Sequence, residues 1–319
     1  MLKKINPDNM DKTIQYREQI STVQFEVTNC CNLHCAICWR TLRETEPMMR
    51  HVSSEEFQTA LDKLLTAFDI QELNTQGLGE PFLCPDIMRI LRLIKSRDLK
   101  VWLVTNGTAI NDTIARELIE IGVDKIRISI DSASRDTYAQ IKSGSNLDLI
   151  ADNIRKILHY KKQFQRDIPM LSLNSVVLRQ NLHDLEDLIQ FAGSLCITEI
   201  SLIPLVSFGQ GKAILDEQVD LESDFFQEYF QRLKSIALQY NMELNLGISM
   251  ETKSNKFCHH GLYIDVYGNV HPCCNISQVD FGNIYKDSIE TVVTKYAHFR
   301  KILDTKDIFC KECNAIFDK

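Results

Sequence analysis

The chain has 319 residues, 44% of them hydrophobic, and a formal net charge of −7, enough for one large α/β domain with an appendage or for two modest domains. The acidic balance excludes a general nucleic-acid binder, which needs a basic face to neutralise phosphates. The opening MLKKINPDNMDK has no apolar run behind its lysines, and no stretch reaches the roughly 20 apolar residues that cross a bilayer, so a cytoplasmic protein without a membrane partner is expected.

Residues 1–22 read as an N-terminal extension, and from 23 to 210 strand-like runs alternate with amphipathic stretches. The strand candidates are VQFEV (23–27), QELNT (71–75), KVWLV (100–104), KIRISI (125–130), LSLNSVV (171–177) and TEISLIPLV (198–206), bounded by turn signals. Between them, Ser54 to Phe68, Asp86 to Ser96 and Asn111 to Ile121 are amphipathic, the last opening on Asn111–Asp112 and ending at Gly122. A βα unit repeated about six times requires right-handed crossovers and a parallel sheet, either open or curved into a barrel. Residues 211–250 read as a connecting helix and strand, with Phe226, Phe230, Leu233 and Ala237 recurring at helical steps between Asp220 and Tyr240 before MELNLGI. In the smaller unit, 251–319, YIDVYGNV predicts two short strands about a Gly-Asn turn. DSIETVVTKYAHFRKIL then predicts a helix capped by Asp287 or Ser288.

Eleven cysteines in a reducing compartment need an explanation other than disulfides. Cys84 and Cys196 stand alone among apolar neighbours and read as buried small hydrophobes. Cys31, Cys35 and Cys38 have the spacing C-x-x-x-C-x-x-C, which wraps a loop around one face of a 4Fe–4S cluster. Such clusters normally take four cysteines, so three imply an iron kept open for something else. The loop follows the first strand, where a parallel sheet places its ligands at the C-terminal edge. A zinc site is the alternative, completed by Cys30 or His34. Cys30 adjoins a ligand and, on an extended segment, points away from it.

With CNLHCAICW at 31–39, the chain resembles the radical SAM superfamily, and the resemblance extends through most of the βα region. It implies a partial (β/α)6 TIM-like barrel over 23–210. It also implies S-adenosylmethionine (SAM) chelated by the open iron, with Trp39 beside the adenine. GLGEP at 77–81 is similar to the family's Gly-Gly-Glu-Pro loop, with Gly77, Gly79, Glu80 and Pro81 as cofactor-binding residues and Leu78 in place of a glycine. Thr105 and Asn106 of TNGT, and Ser129 and Asp131 of SIDS, resemble further segments lining the SAM site, and Asn174 a ribose contact.

The tail holds Cys258, Cys273, Cys310 and Cys313, a pattern that resembles the auxiliary-cluster domain called SPASM in its long form and twitch in its short one. The chain ends six residues past Cys313, so the long form's extra ligands are not expected. The four thiols suffice for one second 4Fe–4S cluster. A zinc ribbon is the alternative. Cys274 is left over beside a ligand, and in epimerases of this subgroup such a thiol returns a hydrogen atom to a substrate radical.

The resemblance implies an enzyme that cleaves SAM to a 5'-deoxyadenosyl radical and removes a hydrogen atom from a C–H bond of a natural-product-type substrate. The preferred reading is a radical SAM oxidoreductase acting on a small polar molecule, sugar- or aminocyclitol-like, with the auxiliary cluster accepting the electron. The alternative is an epimerase or peptide-modifying enzyme with Cys274 as donor. A reading of another class is a non-catalytic iron–sulfur carrier, which leaves GLGEP, TNGT and SIDS without a purpose. The implied partners are a small-molecule or peptide substrate and a low-potential electron donor such as flavodoxin or ferredoxin. Arg40, Arg43, Arg127 and Lys142 are basic residues near the expected mouth, suited to an anionic group.

Overall fold

The computed structural model describes residues 20–42, 48–205, 212–246, 261–274 and 279–305. Their strands are β1 (Thr22–Phe25), β2 (Glu72–Asn74), β3 (Lys100–Thr105), β4 (Lys125–Ser129), β5 (Met170–Val177), β6 (Glu199–Pro204), β7 (Glu243–Leu246), β8 (Gly261–Ile264) and β9 (Val270–His271). They form one sheet in the order β7-β6-β5-β4-β3-β2-β1-β8-β9. Every neighbouring pair is parallel except the β8–β9 hairpin. The sequential run β1 to β6 is the expected α/β architecture, and β7 and β9 are its two edges. The strand β8 pairs with β1, Val23 opposite Leu262, so the C-terminal segment continues the sheet that carries the βα units.

The helices are α1 (Ser54–Ala67), α2 (Ile87–Lys95), α3 (Asp112–Ile121), α4 (Arg135–Ile141), α5 (Leu147–Gln163), α6 (Leu185–Ser194), α7 (Lys212–Asp216), α8 (Asp224–Gln239) and α9 (Ile289–Thr305). Local chemistry sets their ends. Ser53 and Glu56 form a reciprocal capping box at α1, and the Asn111 carboxamide accepts from Ile114 N at 2.9 Å ahead of α3. Ser223 caps α8, three residues beyond the Asp220 at which the sequence predicts the helical stretch to open, and Ser288 precedes α9. Among the described residues no helix is long and apolar enough to cross a membrane.

Alternation along the strands gives the sheet two unlike faces. Val23, Leu73, Val101, Ile126, Leu171 and Ile200 share the face under the helices, each no more than 3% exposed. Phe25 meets Phe57 of α1 there edge-on, ring centroids 4.9 Å apart. The inner face carries Gln24, Asn74, Trp102, Arg127, Ser172 and Glu199 in the alternate positions. A dry core thus lies outside the sheet and a polar surface inside it. The isolated Cys84 is buried as expected, but Cys196 is exposed. It follows α6 with φ 53°, a turn conformation that faces the thiol outward despite its apolar neighbours in sequence.

Gly122 ends α3 in the left-handed region, φ 77°, with 3.9 Å of clearance to Ile168 for an added Cβ. Gly122→Ala is expected to destabilise the protein by about 1–2 kcal/mol through backbone strain alone. Urea denaturation should show a lower midpoint with an unchanged slope.

Candidate active site

The connection from β1 to α1 is far longer than the usual βα loop of about 2–6 residues, and it carries the first thiols. Cys31, Cys35 and Cys38 are all partly exposed. Backbone bonds strap their loop to the end of α4: His34 N donates to Ser143 O at 3.0 Å and Ala36 N to Ile141 O at 2.9 Å. Arg40 is buried and donates to Leu33 O at 2.6 Å, which closes the loop from within. Cys30 turns its thiol toward Arg50 O, 3.9 Å away.

Two glycine-region segments fix the other side of the loop. Gly79 packs so tightly that any Cβ would collide with the carbonyl oxygens of Thr28 and Cys30. Glu80 N donates to Cys30 O at 2.8 Å. The Glu80 carboxylate accepts from Thr105 Oγ1 and from Asn106 N, each at 2.7 Å, and from Phe82 N at 3.3 Å. Asn106 in turn places its side-chain amide 3.9 Å from Cys31 Sγ and 3.0 Å from Asn32 Oδ1. Glu80, Thr105 and Asn106, all expected at the SAM site, therefore form a single knot against the cysteine loop. Pro81, also expected there, begins the short 3-10 turn that follows the knot.

Burial raises the Cys31 and Cys35 thiols, the latter to about 11. Lys142 opposes the rise at Cys35, while Cys38 and Asp131 add to it. Both shifts favour the thiol form of Cys31 and Cys35, and bound iron would supply the positive charge that favours their thiolates. Among the described residues no three His, Cys, Asp or Glu side chains converge to hold a single metal ion. Three thiols on one loop, with three and then two residues between them, are a donor set that fits an iron–sulfur cluster with one iron left open.

At the end of β4, Ser129 Oγ accepts from Lys142 Nζ at 2.8 Å, and Asp131 pairs with the same ammonium at 3.1 Å. Burial alone would depress Lys142, but Asp131, Cys35 and Tyr138 outweigh it and the net direction is up. Asp131 is fully buried and accepts from Val176 N at 2.8 Å, which ties β4 to β5. Asn174 lies opposite Ser129, and its Oδ1 is buried with no hydrogen-bond partner. Trp39 follows the third thiol and is 37% exposed. Of the basic residues considered for an anion, Arg40 and Lys142 are committed to internal contacts, Arg43 lies outside the described residues, and Arg127 stays on the inner face.

In the tail, Cys273 is buried and Cys274 exposed after β9. Cys258, Cys310 and Cys313 lie outside the described residues. Burial raises the Tyr263 phenol, and Glu26 and then Cys274 add to the rise. Sequence reasoning missed Glu26. Its carboxylate is 2% exposed and accepts from Leu78 N at 2.5 Å and Val266 N at 3.0 Å, joining the GLGEP loop to the β8–β9 hairpin. Burial raises its pKa. An acid alternating with Phe25 on a predicted strand was the available signal.

A family model described as the radical SAM superfamily matches residues 25–192, and SPASM, an iron–sulfur cluster-binding domain, matches 258–314. A probable GTP 3',8-cyclase from Sulfurisphaera tokodaii is 28% identical over 210 residues, 66% of this chain and 64% of that protein. The chain therefore spans slightly less than two thirds of that relative's length. A tungsten-containing aldehyde ferredoxin oxidoreductase cofactor-modifying protein from Pyrococcus furiosus is 25% identical over 315 residues, covering 90% of this chain and 85% of that one. Among solved structures, Streptococcus suis SuiB bound to S-adenosylmethionine superposes with a TM-score of 0.72 at 14% identity, over 92% of this chain and 71% of that chain. This last likeness speaks for the fold.

Burial pushes the Glu80 carboxyl up to about 7 from its ordinary 4.5, against the bonds from Asn106, Thr105 and Phe82. A raised carboxyl pKa contributes stability that is complete below the unfolded value and is lost as pH rises through the folded one. Glu80→Gln, which aims a donor at one of these N–H or O–H groups, should destabilise by about 1–3 kcal/mol. Urea midpoints should show the larger deficit at about pH 5.5 and the smaller at about pH 8.

Proposed function

Because this chain belongs to the radical SAM superfamily, we propose that it uses a cluster on Cys31, Cys35 and Cys38 to split SAM and oxidise a small polar substrate at a C–H bond. The observation that carries the reading is the strapping of the three-thiol loop to the glycine segment, through Glu80 N and the Cys30 carbonyl. When bound, the cluster and SAM supply reductive cleavage of the sulfonium to methionine and a 5'-deoxyadenosyl radical, which takes a hydrogen atom from the substrate.

The chain's own residues bind, orient and shield. Gly77 and Gly79 leave the backbone of their loop bare for the methionine amino group, and Pro81 turns the chain away behind them. Ser129 and Asn174 offer polar contacts to the ribose, and Trp39 an aromatic face to adenine. Asp131 and Lys142 hold the β4–β5 edge against the cysteine loop. The polar inner face supplies hydrogen-bonding groups for a substrate with many polar atoms, while the helices keep water from the outer side.

Cys258, Cys273, Cys310 and Cys313 are the proposed ligands of a second 4Fe–4S cluster of the twitch type, and four thiols leave it no open iron. Such a cluster is suited to accept an electron from the substrate radical. The first reductant is a low-potential donor of the flavodoxin or ferredoxin kind. The names of the two curated relatives, a cyclase and a cofactor modifier, favour a small molecule over a peptide. A second reading rests on Cys274, whose thiol is exposed just after β9. As a hydrogen-atom donor it would make the reaction an inversion, on a small molecule or a peptide.

Anaerobically reconstituted protein should bind about eight irons per chain, falling to about four in Cys35→Ala. With SAM and dithionite, the wild type should form 5'-deoxyadenosine and Cys35→Ala should not. Formation at the same rate in both would refute the site. Product made in deuterated water separates the two outcomes, since oxidation lowers its mass by two hydrogens and quenching by a thiol leaves one deuterium on carbon.

A further inference from the structure

Among the described residues, four inner-face side chains hold a buried polar atom without a hydrogen-bond partner: Asn74 Nδ2, Arg127 Nε, Ser172 Oγ and Asn174 Oδ1. Buried polar groups are rarely left unpaired unless something binds there. Asn174 lies opposite Ser129 and belongs with the proposed ribose contacts. The other three form a separate group. Register sets Asn74 beside Trp102 and Arg127 beside Ser172. Asn74 is 1% exposed and Ser172 wholly buried.

Arg127 is held in place by an aromatic ring. Its guanidinium carbon lies 4.7 Å from the centroid of the Trp102 ring, and the indole N–H is tied to Glu72 Oε1 at 2.7 Å. Glu199 is hydrogen-bonded by Lys125 at 2.6 Å and forms a longer ion pair with Arg127 Nη2 at 3.8 Å, which leaves Arg127 Nε without a partner. Arg127 Nε and Asn74 Nδ2 can only donate, and the Ser172 hydroxyl can do so as well. A planar cation with further donors on the same face of neighbouring strands suits a ligand that only accepts.

We propose that Arg127, seated on Trp102, with Ser172 opposite it and Asn74 on the far side of that ring's strand, binds an oxyanion of the substrate, a carboxylate or a phosphate. This deepens the reading of the inner face as the substrate cavity and rests on it. Arg127 lies two positions before Ser129 on β4, a depth of about 6–7 Å. The anion is anchored at that depth below the proposed ribose contacts, and the rest of the substrate extends from it toward the cysteine loop.

The test titrates reconstituted full-length protein with pyrophosphate and, separately, with glutarate, following the emission of its two tryptophans, Trp39 and Trp102. One of the two anions should saturate the signal, and which one does so distinguishes phosphate from carboxylate. Arg127→Gln should weaken that binding by about tenfold or more. Arg127→Lys should recover only part of it, because lysine lacks the planar face and the Nε proton. The SAM dissociation constant, which a collapsed sheet would raise, is the control, and Ser172→Ala is the second variant should Arg127→Gln not fold. A wild type that cleaves SAM but responds to neither anion overturns the subsite, as does an Arg127→Gln protein that binds as tightly as wild type. A wild type that fails to cleave SAM overturns the underlying reading instead.

Discussion

The Glu80 carboxylate accepts three hydrogen bonds in a nearly dry setting while its own amide holds the cysteine loop. One residue thereby joins the connections that follow β1, β2 and β3. Without water, those donors have no other acceptor, and the two oxygens have no other donors. The three thiols are consequently presented by a loop whose position is set by its neighbours, since the loop has no regular structure of its own. Arg40 on the inside and the end of α4 on the far side complete the frame.

The alternation of the strands divides the labour of the sheet. Apolar side chains on one face bind the helices and provide the stability, and this leaves the other face free to be polar. Polar groups there destabilise the empty fold, and their persistence on strand after strand is a physical argument for a ligand. Glu26 extends the same logic to the tail, because a buried acid bridges the glycine loop and the β8–β9 hairpin. The proposed SAM site and the β8–β9 hairpin are thus mechanically connected through Glu26.

Much of this was legible from residues close together in the chain. Ser53–Glu56, Asn111 and Gly122 announce helix ends through bonds spanning a few positions, and the six strand runs carry their own composition. The cysteine spacing likewise encodes a local wrap. What escaped the sequence depends on distant partners. Lys142 looks like a surface cation until Asp131 is seen beside it, and Arg40 until it turns inward to Leu33 O. Cys196 looks buried because its neighbours are apolar, yet one positive φ reverses its direction. The pairing of β8 with β1 has no local signature, because either strand would pair equally well elsewhere.

That pairing has a bearing on how the protein is made. Glu26 and Val266, bonded to one another, are 240 residues apart, so one flank of β1 waits for its neighbour while the ribosome works through the intervening chain. At about 5–20 residues per second the delay is roughly ten to fifty seconds. Throughout it the nascent strand presents unpaired amides and carbonyls next to reactive thiols, a template for association with other chains.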